Sequence, residues 1–382
     1  MRRTLTLGAA LALAAALLSW PAAAQTGPLR LLGEYSFEAG RRFQDTTIGG
    51  LSGLVYDQPR GVYYAVSDDR GEKQAPRFYT LQIDLDAGGI RDVRFLGVTT
   101  LDSDPNAPGV QPYDVNDSDL EDIQLLGDEL LISSERDKDG RPWIRRFGLD
   151  GTLRGSLPVP DRFLTVTQPG EDGRPRIVRG VRSNIGFEGM TLTPSGLTLF
   201  TTNEGALAQD GPVASIAAGT NVRLTRWELG SDARPTSEYV YATEKIFAAP
   251  QPADQFADNG VTALLWVRHL LPDYDMLVME RSFSTGVGND VSIFGVTLTD
   301  ATNVSDLDAL PSPYAGRTVT KTRLANMAEL GIAADNLEGL ALGPRLPNGK
   351  PSLIVMSDDN FSTFVPPQVN QFILFEVDAP AR

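Results

Sequence analysis

Apolar and polar residues alternate along most of this chain, in short runs separated by polar, Gly-rich turns. Alternation with period two is the mark of half-buried strands, and no long segment carries the 3.6-residue period of a helix. The runs recur in order. Leu51-Ser52-Gly53-Leu54 leads to Ala65-Val66-Ser67-Asp68, and Leu120-Glu121-Asp122-Ile123 leads to Ile132-Ser133-Ser134-Glu135. Phe187-Glu188-Gly189-Met190 leads to Thr201-Thr202-Asn203-Glu204, and Val261-Thr262-Ala263-Leu264 leads to Leu277-Val278-Met279-Glu280. Leu337-Glu338-Gly339-Leu340 leads to Val355-Met356-Ser357-Asp358. The units start at 52, 121, 188, 262 and 338, a period of about 70 residues that belongs to a propeller or an array rather than to unrelated domains.

Each unit continues with a third strand, at Phe78–Ile83, Trp143–Leu149, Val222–Leu229, Val291–Leu298 and Phe372–Val377. A fourth follows in most, as at Val93–Thr99, Leu153–Val159 and Glu238–Thr243. The pattern predicts an all-β fold, a β-propeller of four-stranded antiparallel blades. Five repeats are recognised, and six blades remain an alternative if a long inter-unit stretch hides a weak one. The fifth unit ends after its third strand, and an extra strand, Leu29–Phe37, precedes the first. That strand is expected to supply the missing one and close the ring.

Residues 1–24 stand outside this pattern. Arg2-Arg3, an Ala/Leu stretch from Leu5 to Trp20 and Ala22-Ala23-Ala24 form a secretory signal peptide. A Sec-type signal is favoured, Arg2-Arg3 leaving a twin-arginine signal open. Residues 25–382 are expected to be a single domain, periplasmic or secreted, monomeric and without a membrane span.

Composition narrows the chemistry. The 382 residues hold 49 Asp plus Glu, 34 Lys plus Arg, one His and no Cys, for a formal charge of −15. Such a balance argues against nucleic acid as a partner. Without Cys there is no disulfide, thiolate nucleophile or Cys-held metal, and with His269 alone there is no multi-histidine site. A Ser-His-Asp hydrolase would have to use His269, which lies in an apolar run and reads as a packed residue. No G-x-S-x-G elbow and no Walker or Rossmann glycine fingerprint is present.

If the first two runs of each unit form a hairpin, its start and its end are neighbours on one rim. Eight of those ten positions are carboxylates: Asp68, Glu121, Glu135, Glu188, Glu204, Glu280, Glu338 and Asp358. Like charges gathered at a channel mouth must protonate, spread apart or bind a cation. Asp68, Glu121, Glu135, Glu204, Glu280 and Asp358 are therefore candidate metal ligands, and calcium is the cofactor that an all-oxygen set suits. Ser67, Asn203, Asp359 and Asn360 could add oxygens. Arg70, Arg136 and Arg281 follow acids in the same loops, either as ion pairs to the next blade or as grips on an anionic substrate. The competing reading makes the acids structural, capping turns and meeting Arg.

These segments carry a resemblance. Phe187-Glu188-Gly189-Met190 with Thr202-Asn203-Glu204, and Asn336-Leu337-Glu338-Gly339-Leu340 with Ser357-Asp358-Asp359-Asn360, look like repeats of the phytase-like family, also described as esterase-like activity of phytase. Gly50-Leu51-Ser52-Gly53-Leu54 with Ser67-Asp68-Asp69 resembles its first unit. The likeness runs from about residue 46 to 378. It implies kinship with β-propeller phytases, calcium enzymes whose metal ions bind phytate and activate water. The implied activity is calcium-dependent hydrolysis of phosphate or other esters on a small anionic substrate. Glu188 and Glu338, at the starts of the third and fifth units, are the candidate catalytic carboxylates. The alternative is a non-catalytic propeller that binds a ligand or protein partner.

Overall fold

The computed structural model describes residues 27–230, 232–362 and 367–379. The expected signal peptide lies outside them. The described residues form five four-stranded antiparallel sheets. Blade 1 is Leu51–Asp57, Val62–Ser67, Arg77–Asp86 and Gly89–Thr100, and blade 2 is Leu120–Leu126, Glu129–Ser134, Trp143–Gly148 and Leu153–Ser156. Blade 3 is Phe187–Leu192, Thr198–Asn203, Asn221–Glu228 and Arg234–Ala242, and blade 4 is Ala257–Trp266, Met276–Ser284, Gly288–Thr297 and Thr320–Asn326. Blade 5 joins Asn336–Leu342, Ser352–Asp358 and Val369–Val377 to the N-terminal strand Leu29–Glu38, which pairs with Val369–Val377. The first strand of each blade packs on that of the next, and that of blade 5 on that of blade 1, so the sheets stand in a ring.

Five blades settle the count. The long stretches between units hold only short pieces, such as the ribbon Val166–Pro169 with Pro175–Arg179 after blade 2.

The alternation that predicted the strands becomes packing between blades. In blade 5, Leu353 and Val355 join Leu277, Met279 and Ile293 of blade 4 in one buried cluster. The residues between, Ile354 and Met356, join Leu54, Ala65 and Tyr79 of blade 1 in another. Similar clusters fill the junctions of blades 1 and 2, 2 and 3, and 3 and 4. A strand covered on both faces has both sets of side chains apolar, hence the near-continuous run Leu353-Ile354-Val355-Met356.

One irregularity recurs in every blade. The register between first and second strands slips by one residue at Ser52-Gly53, Glu121-Asp122, Glu188-Gly189, Thr262 and Glu338. A bulge leaves an extra residue unpaired and re-aims its side chain, and here it falls each time on the repeat's first marked position. Glycine follows where the hub is tightest. A Cβ on Gly53 would stand 2.6 Å from Asp122 Cα, and one on Gly189 would stand 2.8 Å from the Leu264 amide nitrogen.

Candidate metal and ester site at the propeller hub

The bulges bring acids from different blades into contact distance. Carboxylate oxygens of Glu121, Glu188 and Glu338, from blades 2, 3 and 5, lie within 4.8 Å of one another. So do those of Glu135, Glu188 and Glu204, and those of Asp68, Asp119 and Glu121. Asp358 adjoins this ground, repelled by Glu338 and acting in turn on Asp68. The two non-acidic bulge residues bond across to the next blade instead: Ser52 donates to the Leu120 carbonyl at 3.3 Å and Thr262 to that of Leu337 at 3.2 Å.

Glu280 stands apart from this cluster. It occupies the register position opposite Val261, as Ser67, Ser134, Asn203 and Ser357 stand opposite Leu51, Leu120, Phe187 and Leu337. The counterpart of Asp68, Glu135, Glu204 and Asp358 in blade 4 is therefore Arg281. A slip of one residue reverses the face a side chain takes. Glu280 turns toward blade 3, accepting from the Tyr241 hydroxyl at 2.5 Å, the Glu244 amide at 2.8 Å, Asn259 at 3.1 Å and Lys321 at 2.7 Å.

The three arginines divide the site. Arg281 donates to Glu204 at 2.8 Å and also to Glu338 and Asn336. Burial works against its charge, but Glu204, Glu338, Asp258 and Glu188 outweigh burial and hold its pKa above the usual value. Arg70 and Arg136 meet opposite oxygens of Asp119, at 2.6 and 2.9 Å, and keep about a third of their side chains exposed, 30% and 27%. Asp119, wholly buried, is the residue that sequence reasoning missed. It precedes the second repeat rather than opening it, and its only signal was the acid-dense run Asp114–Glu121.

Eight carboxylates thus share three guanidinium groups. Burial, then Glu188 and Asp68, push Glu121 well above the carboxylate range. Burial, then Glu204, Glu338 and Glu135, do the same to Glu188. Glu135 is pushed to about 8 by burial and then by Asp119. Asp68 rises for the same reasons, burial first and Asp119 next, and its Oδ1 is buried with no hydrogen-bond partner. Asn203, beside Glu204, is buried with neither amide atom hydrogen-bonded. Ser67 and Asp359 are engaged elsewhere, Ser67 donating to the Gly49 carbonyl and Asp359 accepting from the Gly50 and Phe361 amides. Asn360 uses its amide N–H on Asp358.

A hard divalent cation suits such a donor set: oxygen only, several blades contributing, an orphaned buried oxygen, and repulsion that a positive ion would relieve.

A five-bladed propeller with an acidic hub defines the class. The chain belongs to the phytase-like family, described as esterase-like activity of phytase, whose model matches residues 46–361. It is 25% identical over 161 residues to an uncharacterized secreted protein of Arthroderma benhamiae, a match covering 38% of this chain and 31% of that one. The match thus spans about a third of that relative's length. Among solved structures it is similar to a thermostable family-43 glycoside hydrolase, at 12% identity and a TM-score of 0.42, covering 88% of this chain and 95% of that one. It is also similar to the PQQ-bound aldose sugar dehydrogenase of Streptomyces coelicolor, at 12% identity and a TM-score of 0.34, covering 90% and 99%. Among the described residues no helix is long and apolar enough to cross a membrane.

Proposed function

We propose that this chain is an exported hydrolase of phosphate or other esters that works with calcium held at its hub. The observation that carries the proposal is the excess of converging carboxylates over arginines, with Asp68 Oδ1 buried and unpartnered. Asp68, Asp119 and Glu121 would hold an ion on one side, and Glu135, Glu188 and Glu204 on the other, with Glu121, Glu188 and Glu338 between. Calcium bound there supplies a Lewis acid that draws charge from an ester oxygen.

The chain's own residues divide the remaining work. Arg70 and Arg136, anchored by Asp119 and partly open to solvent, grip anionic oxygens of the substrate. Arg281, committed to Glu204 and Glu338, positions those carboxylates rather than reaching substrate. Glu188, which makes no ion pair with an arginine among the described residues and belongs to two of the carboxylate groups, would take the proton of an attacking water. Glu338, whose pKa burial raises against the pull of Arg281, is held in place beside it by Arg281 and Asn336.

A second reading, a non-catalytic ligand-binding propeller, draws support from the same ion pairs, which hold Glu204, Glu338 and Asp119 without any added group. Turnover of phosphomonoesters and short acyl esters, with and without chelator, separates the two. Activity that chelator abolishes and that Glu188→Gln lowers at least a hundredfold supports the hydrolase. Turnover indifferent to both removes it, and a calcium-dependent melting shift without turnover favours the binding module.

A further inference from the structure

Blade 4 differs from its neighbours above the hub. In blade 5 the first two strands begin pairing at Asn336 with Asp358, the level of Gly260 with Arg281 in blade 4. Blade 4 continues past that level through Asn259↔Ser282, Asp258↔Phe283 and Ala257↔Ser284, and its third strand follows to Gly288. At about 3.3 Å per residue this is a three-stranded wall rising roughly 10 Å above the site.

Side chains alternate along a strand, so Phe283 lies on the face that carries Arg281, and Asp258, directly opposite Phe283, shares it. Asp258 acts on the Arg281 charge, which ties this face to the hub. Phe256 completes the patch: its ring centroid is 6.1 Å from that of Phe283, and 63% of the residue is exposed. An exposed Phe256 ring against a half-buried Phe283, itself one step of roughly 7 Å along the strand from a buried arginine, is unlike the core aromatics.

We propose that Phe256 and Phe283 form a subsite for a flat apolar group whose attached anionic head sits at the hub. This rests on the hub reading above and gives it a substrate class: aryl-bearing phosphate or carboxylate esters, rather than polyols carrying phosphate on every side. The aromatic faces take the ring by offset stacking, and the head is left to the hub, to Arg70, Arg136 and the cation that its carboxylates would hold.

The test is binding of phenylphosphonate and methylphosphonate to the whole protein by calorimetry, with calcium present. Phenylphosphonate is expected to bind about tenfold more tightly. Phe256→Ala should abolish that preference while leaving methylphosphonate affinity and the melting temperature unchanged, and Phe256→Tyr should keep it. Equal affinity for the two probes, or a preference that survives Phe256→Ala, overturns the subsite and leaves anion binding at the hub intact. Failure of both probes to bind overturns the hub reading, and the subsite with it.

Discussion

Two of the buried charge clusters among the described residues are built on opposite plans. Around Arg223 in blade 3, Asp210 takes two hydrogen bonds at 2.6 and 2.9 Å, Glu238 takes a third at 2.7 Å, and the Leu307 carbonyl takes a fourth at 3.0 Å. Arg162 covers the other oxygen of Glu238, and the Leu310 amide reaches Asp210 at 2.8 Å. Two carboxylates meet two arginines, and both carboxylates are fully engaged. The hub sets eight carboxylates against three arginines and leaves Asp68 Oδ1 unpartnered. A balanced cluster holds a fold together by itself, whereas an unbalanced one is stable only with protons or a cation added.

Breaking the balanced cluster should have the largest effect. Arg223→Met leaves Asp210 buried without its counter-charge and Glu238 with Arg162 alone, at a cost of about 3–5 kcal/mol in urea unfolding. That loss is expected to be the same with and without calcium, and a calcium-dependent loss would erase the distinction drawn above. Next comes the cation. Calcium at a hundred times its dissociation constant should stabilise the wild type by about 2.7 kcal/mol, read as a rise in melting temperature. The rise should shrink in Glu121→Gln and persist in Glu280→Gln if that variant folds; no rise in the wild type would sink the metal site.

A third effect is one of pH. Burial and then Asp119 push Glu135 up to about 8 in the folded, metal-free hub, above the ordinary carboxylate range of the unfolded chain. Between those values the folded state binds more protons, so stability falls as pH rises. Chelated protein should therefore melt at a lower temperature at pH 8 than at pH 5, and calcium should flatten the slope. A chelated protein that gains stability over that interval would show the hub carboxylates to be compensated by other means.

Much of the fold was legible because a strand buried on both faces cannot hide: runs such as Leu353–Met356 and Leu277–Met279 recur at one spacing. Four of the five second-strand acids were assigned the right register by alignment alone. Blade 4 failed because Glu280-Arg281 offers an acid one position early, and only the pairing opposite Val261 shows which of the two faces the hub. The bulges were equally invisible, since one unpaired residue leaves no mark in composition. Asp119 escaped because it becomes part of the site through Arg70 and Arg136, which come from the loops after the second strands of blades 1 and 2.

The pairing of Leu29–Glu38 with Val369–Val377 joins strands made early and late, which fixes an order of events in time. Leu29 pairs with Val377, nearly the full length of the described chain away. During synthesis the first strand exists without its neighbour, and contacts so distant in sequence form slowly. Until the last strand arrives, Leu29–Glu38 is a free edge able to pair with another copy. Refolding at high concentration should therefore give strand-exchanged oligomers that dilute refolding avoids.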